Sequence, residues 1–599
     1  MWRDLWAWAS ALAVTPLVLH SLGARLGEPV ADDFACLHRA LLTPGLPLID
    51  GYGSALYWRP LSRQIYFKLL APLMLPQPAF IAALHVVLLA LVSLLLYRSL
   101  RPIFGGPLAA LAASFALLME STRMLLTWPS GFQDLGAMFF AALAIHEAAA
   151  ARLATTLAAL LASLLCKELM APAALLLPWL PTGTRHRMRW FSAIAVTVGA
   201  WGIAYAIVHH AAGLAWSHPP EDTATPDASW PARYLWACGT AARAAMSLPA
   251  SSSPSGPLAG GLLLIVALAV AASGTVPSAR ARLARALPWA GWGCAWFVAG
   301  TLTLAATYPD WLAYRGAFAA MGLGVAFVAL AGAAHPALAW VLLAGRLALF
   351  ALSPGPPALV GGRAEERGAL LDFPKLARLQ RLVSDTRHAL HDGLPSIPAG
   401  GQVGLYNLPW MAEYGFSGSQ ALQVWYRDST LRWVRSSEFM LHPETPLRTI
   451  AEFENGKDPS VVLLNPEAMR AMTGGITIAN QGKLAAALVL LDRADSLAST
   501  AGATAFHGQV AGLRAVTFAY LGRLGEAEKE AGRSKMLYPR HPYAHLALGV
   551  IAFSRGRWAE ADAQVDSVLD VEPNYPPALR LRASIREAVA RPAPPASRR

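Results

Sequence analysis

Apolar and polar positions divide the chain into two unlike parts. Up to about residue 355, long apolar runs alternate with short polar loops. Beyond it, apolar residues return at helical or strand spacing. A hydrocarbon layer of ~30 Å takes about 20 apolar residues to cross. The runs Leu5–Ala24, Ala79–Tyr97, Gly105–Thr122, Trp128–Ala148, Arg152–Cys166, Leu169–Leu180, Trp190–His210, Leu258–Ser273, Ala286–Ala306, Ala313–Ala333 and Pro336–Leu352 therefore predict about 11 spans. The two runs flanking Lys167-Glu168 are short, which predicts broken or tilted helices lining a cavity.

After Leu352, S-P-G-P-P-A-L-V-G-G marks a boundary. Residues from about Gly362 to Asp392 read as a polar helix. Residues 401–465 alternate apolar and polar, as in Gly401–Leu408 and Ser460–Leu464, and predict strands of a small α/β domain within 356–470. From about Gly474 the pattern turns helical and repeats. G-R-L-G-E-A (Gly522 to Ala527) returns as G-R-W-A-E-A (Gly556 to Ala561) 34 residues later, and Pro539 returns as Pro573. That is the tetratricopeptide period, predicted over 474–590, with a disordered tail at 591–599. Arrays of this kind bind peptides or other domains.

Composition agrees with a membrane part. The 599 residues are 55% hydrophobic and 14% charged, with mean hydropathy +0.40. The net charge of +12 sits largely in short loops (Arg98, Arg101, Arg152, Arg185, Arg187, Arg189, Arg280, Arg282, Arg285). That is the signature of cytoplasmic loops, and it argues against a nucleic-acid partner. An odd span count then puts the C-terminal part on the opposite, extracytoplasmic side. Four scattered cysteines, with no C-x-x-C, give no metal or disulfide framework.

Candidate chemistry gathers on the outer loops. Asp32-Asp33 follows the first span, and Arg59, Glu120, Arg123, Lys167, Glu168, Asp310 and Arg315 map to the same side. Each has a plainer reading when taken singly. Asp32 or Asp33 caps the helix beginning near Phe34. Arg59 and Arg63 sit among headgroups, Lys167-Glu168 is a paired break, and Asp310 and Arg315 are loop charges. Their one-sided convergence predicts a site. The outer loop 211–257 carries an interfacial helix from Trp230 to Leu248 and has the length of a lid.

The segments D-D-F (Asp32 to Phe34), Y-W-R-P-L-S (Tyr57 to Ser62), L-H-V-V-L-L-A-L (Leu84 to Leu91), W-P-S-G-F-Q-D-L (Trp128 to Leu135), L-L-C-K-E-L (Leu164 to Leu169) and Y-P-D-W-L-A-Y-R-G (Tyr308 to Gly316) occur in an order that resembles the C-type membrane glycosyltransferases. Among these the chain is most similar to protein O-mannosyltransferases and to the transmembrane and tetratricopeptide-repeat-containing mannosyltransferases, here as a bacterial relative. Leu88 stands where the family often has Asn, and Phe132-Gln133 where it has Gly-Arg, which leaves sugar and acceptor open.

The resemblance implies an inner-membrane enzyme that moves a hexose, mannose among the candidates, from a polyprenyl-phosphate donor to an acceptor hydroxyl on protein or glycan, with inversion. It implies Asp32 as general base and Asp33 as its orienting neighbour. Arg59 is the first cation for the lipid phosphate, with Arg123, Lys167 and Arg315 behind it. Glu168 pairs Lys167 or binds a sugar hydroxyl. His85 is by default a satisfied buried histidine, which the resemblance places near the lipid phosphate. Asp134 and Asp310 complete the candidate set. No metal is required, although some related enzymes use a divalent ion. Two alternatives stand beside this: an oligosaccharide ligase or polymerase, and a non-catalytic membrane scaffold recruiting partners through its repeats.

Overall fold

The computed structural model describes residues 4–43, 45, 47–182, 186–216, 228–247, 255–352, 371–409, 412–453, 461–498, 502–539 and 541–590. The expected linker after Leu352, much of the 211–257 loop and the tail 591–599 lie outside the described residues. The chain is mostly helical and divides into two compact units. The first comprises Met1–Ala358, Gly362–Ser384 and Tyr414–Arg427, and the second takes Leu359–Gly361, Asp385–Glu413 and Asp428–Arg599. The stretch 356–470, read from sequence as one domain, is thus shared between them.

In the first unit, three helices are long and apolar enough to cross a membrane: Pro78–Ser114, Arg187–Ala211 and Ala313–Ala334. A fourth results if Gly260–Ser273 and Pro277–Thr307, bent by 116°, count as one. The shorter apolar helices Leu5–His20, Leu153–Cys166, Met170–Trp179 and Pro336–Ala351 occupy other expected spans. The expected spans Ala79–Tyr97 and Gly105–Thr122 fall largely on the 37-residue helix Pro78–Ser114. Pro102, Pro107 and Gly105, whose φ is 74°, break it into two. On either side of Lys167-Glu168 the helices have 14 and 5 residues, well short of a span.

Small residues set the helix spacing. A Cβ on Gly293 would lie 2.4 Å from the Gly322 carbonyl, so helices Pro277–Thr301 and Ala317–Ala334 touch backbone to backbone. A Cβ on Gly136 would meet Cys166 Sγ at 2.9 Å, which lets helix Phe132–Ala149 lie against Leu153–Cys166. Segments after the last apolar helix return to this unit. Gln380 donates to the Glu28 and Thr127 carbonyls at 2.9 and 2.7 Å. Ala31 N–H donates to Gly415 O at 2.8 Å.

The second unit joins a sheet to helical hairpins. Its strands β1 (Gln402–Tyr406), β2 (Arg432–Arg435), β3 (Leu447–Phe453) and β4 (Val461–Leu464) run in the order β2-β1-β3-β4. β1 is parallel to β2 and β3, and β4 is antiparallel to β3. Ile450 and Leu464 of the sheet share one core with Met472, Leu491 and Phe506 of the helices. Glu452, fully buried on β3, accepts the Phe506 N–H at 2.6 Å and so caps the start of helix Thr504–Tyr520.

The hairpins are Pro466–Asn480 with Leu484–Leu497, Thr504–Tyr520 with Leu524–Leu537, and Pro542–Ser554 with Trp558–Leu569. Their turns pass through Gly482, Gly522 and Gly556 at φ 79°, 76° and 70°, a conformation that favours glycine. Buried Ala527 and Ala561 recur 34 residues apart on the second helices of the last two hairpins.

Asp495 ties successive helices, accepting from His507 Nδ1 at 2.6 Å and from Arg533 Nη1 at 2.9 Å. The hydrogen bond to Asp495 raises the His507 pKa from its ordinary 6.5, against the pull of burial. A histidine whose folded pKa is raised contributes stability that is complete below about 6.5 and is lost as pH rises through the raised value. Thermal unfolding of the full chain should therefore show a loss between pH 6 and 8.5 that His507→Gln flattens. Equal slopes in both proteins would show the pair contributes nothing.

Candidate functional site

The acidic pair splits into two roles. Asp33 is 0% exposed. Its Oδ2 accepts from Val30 N–H at 2.8 Å, and its Oδ1 from Ser130 N–H at 2.7 Å and Ser130 Oγ–H at 2.5 Å. Burial pushes this carboxyl up to about 7, while the Ser130 and Val30 donors pull it back. Asp33 thus latches the D-D-F turn to the W-P-S-G turn. Its neighbour Asp32 heads the same helix, Asp32–Leu42, but is exposed and makes no hydrogen bond or ion pair among the described residues. Successive helix positions point about 100° apart, so one carboxylate fixed inward leaves the other facing out.

Arg59 enters from the π-helical turn Pro60–Ile65, which Ser62 anchors by donating to Cys166 O at 2.8 Å. This bond places the W-R-P-L-S motif against Lys167-Glu168. Arg59 is 6% exposed and forks onto Glu168 through Nε at 3.0 Å and Nη2 at 2.6 Å. Its Nη1 donates to Gln133 Oε1 at 2.7 Å, and its guanidinium lies 4.0 Å above the Tyr57 ring. Burial alone would raise the Glu168 carboxyl, but Arg59 and Lys167 outweigh it and hold it at about 2. The expected Lys167–Glu168 pairing is replaced. Lys167 Nζ donates to both oxygens of Asp134 at 2.7 Å. Burial brings the ammonium down to about 8, with Asp134 opposing.

Arg315 differs. It sits on the short turn Ala313–Gly316, with Nε buried and without a hydrogen-bond partner. No carboxylate lies within ion-pair distance of it among the described residues. Its electrostatic neighbours are Tyr314, Asp134 and Tyr57, and its charge also reaches Lys167. Trp128 links this turn to the acidic pair, as its Nε1–H donates to Val30 O at 3.4 Å and its ring meets Tyr314 edge-on at 5.9 Å.

Three candidates stand elsewhere. Arg123 is fully buried, bonded to Glu120 Oε1 at 2.5 Å and to the His20 carbonyl at 3.2 Å, and stacked 4.0 Å above Phe373. It shares no described partner with Arg59, Lys167 or Arg315. His85 is fully buried between Leu125 O (Nδ1, 2.7 Å) and Tyr66 Oη (Nε2, 2.8 Å). The carbonyl can only accept, so Nδ1 carries the proton and Nε2 receives the tyrosine's. This is the satisfied core histidine. Asp310 is exposed with no bonded partner among the described residues.

The sequence reading missed Ser130, Gln133, Tyr57, Tyr314 and Tyr414. Ser130, Gln133 and Tyr57 lie inside motifs it quoted. Tyr414, which shares the field of Asp32, Tyr314 and Arg315, gave no signal in sequence. Among the described residues no group of three His, Cys, Asp or Glu is arranged to hold a metal ion. No protein-family model and no curated protein matches the chain in sequence.

Melting in detergent should separate the two acids without reference to activity. Asp33→Asn puts an amide donor against three donors and should cost about 1–3 kcal/mol. Asp32→Asn, at an unbonded exposed position, should stay within about 0.5 kcal/mol of wild type. Equal losses would mean that both carboxylates are structural.

Proposed function

We propose that the first unit is a membrane glycosyltransferase that moves a hexose from a polyprenyl-phosphate donor to an acceptor hydroxyl. The observation that carries this reading is the contrast within one polar cluster. Arg59, Glu168, Lys167, Asp134 and Asp33 are engaged with one another or with backbone, while Asp32 and Arg315 are not. A free carboxylate and a free guanidinium linked through Trp128 and Tyr314 suit a reaction that takes up a proton and releases a phosphate.

In that reaction the acceptor oxygen bonds to the anomeric carbon as its proton passes to Asp32. The bond from that carbon to the phosphate oxygen breaks on the opposite face, and its electron pair leaves on the lipid phosphate beside Arg315. Configuration inverts. Arg59 is then a positioning residue that fixes Glu168 and the loop, and Arg315 takes the phosphate role that the sequence reading gave first to Arg59. A sugar hydroxyl is the natural partner for Glu168.

The apolar helices support a membrane location, and the charge bias of the loops supports a bacterial inner membrane with the site on its outer face. The return of residues 373–384 and 414–427 to the loop bearing Asp32 supports an extracytoplasmic tail. The 34-residue repeat and its glycine turns support tetratricopeptide-type hairpins that hold an acceptor protein or another partner.

The test is transfer of label from radiolabelled polyprenyl-phosphate hexoses in membranes. Asp32→Asn should lower the rate at least ~100-fold, and Arg315→Ala should lower it by a similar factor. Activity unchanged in Asp32→Asn sinks the assignment. A scaffold would give no transfer from any donor.

A further inference from the structure

We propose that the segment Tyr414–Arg427 is a built wall of the site and that Tyr414 positions the acceptor hydroxyl beside Asp32, an inference that rests on the glycosyl-transfer reading. Three contacts fix the segment. Ala31, adjacent to Asp32, donates its N–H to Gly415 O at 2.8 Å. Trp425, 6% exposed, meets Phe34 edge-on at 5.8 Å and Phe416 edge-on at 6.0 Å, and both of those rings are buried. Helix Gln420–Tyr426 packs along Asp32–Leu42, the helix that begins with the acidic pair.

Ala31 itself has φ 53° and ψ −121°, a conformation that alanine rarely adopts and that surrounding structure must hold in place. Here it is held from both sides, by Asp33 on Val30 and by Gly415 on Ala31.

Within this anchored segment Tyr414 is the open residue. It is 39% exposed, and its hydroxyl has no hydrogen-bond partner among the described residues. Burial raises its pKa, and the charge of Asp32 raises it further, so the phenol stays protonated and can donate. A neutral donor and acceptor beside a carboxylate base is what an incoming hydroxyl requires. It can accept that hydroxyl's proton transiently or donate to a neighbouring oxygen while Asp32 takes the proton. A purely packing tyrosine would need only its ring.

Two measurements decide this on the full chain in detergent. The first is docking, read by hydrogen–deuterium exchange. Phe34→Ala should speed exchange across 415–427, and equal exchange in both proteins overturns the wall. The second is kinetics. Tyr414→Phe, which keeps the ring, should raise the acceptor KM roughly 3–10-fold with the donor KM unchanged, and Tyr414→Ala should do no more than add to it. Wild-type acceptor KM in Tyr414→Phe overturns the positioning role. If Asp32→Asn is then still inactive, the glycosyl-transfer reading stands without it. No transfer by the wild type from any polyprenyl-phosphate hexose overturns both.

Discussion

Asp33 carries a constraint on which the arrangement of the site rests. Its carboxylate collects three donors from two turns nearly 100 residues apart in sequence, and it does so without solvent access. A buried acid in that position either satisfies its oxygens or destabilises the fold. Those bonds fix the backbone at Val30 and Ala31, and with it the direction in which helix Asp32–Leu42 leaves the turn. The same turn supplies the carbonyl that holds Trp128, whose ring supports Tyr314.

The other charges follow a similar logic. Removing Arg59 and Glu168 from water is costly unless each finds a fixed partner, and the two-point fork with Gln133 on the third side provides one. Lys167 and Asp134 form a second closed pair one step along the chain. These pairs neutralise the interior and hold helices Phe132–Ala149 and Leu153–Cys166 in register with the Arg59 turn. What they leave over is a small number of groups with unmet bonding capacity, and such groups are where chemistry can occur without dismantling the structure.

Much of this was legible in sequence, to different depths. The strands at Gln402–Tyr406 and Val461–Leu464 lie inside the segments that alternate, and the glycine turns stand where the 34-residue period puts them. His85 adopts the plain buried role that an apolar run suggests. The helices Gln420–Tyr426 and Ser436–Leu441 were hidden inside a stretch whose alternation read as strand throughout. The partner of Arg59 was not legible, because Glu168 lies 109 residues away and its sequence neighbour Lys167 offered a simpler pairing. Arg123 had its partner three residues upstream, a spacing that could have been read as an ion pair. Tyr414 was beyond reach, since only the tertiary return of its segment brings it near Asp32.

That return also sets an order of events in biogenesis. A ribosome that has finished every apolar helix has still not made the last wall around Asp32, since Arg427 emerges 75 residues after Leu352. A half-made chain therefore carries a site open on one side. Completion of the membrane part and completion of the site are separate moments in the life of the molecule.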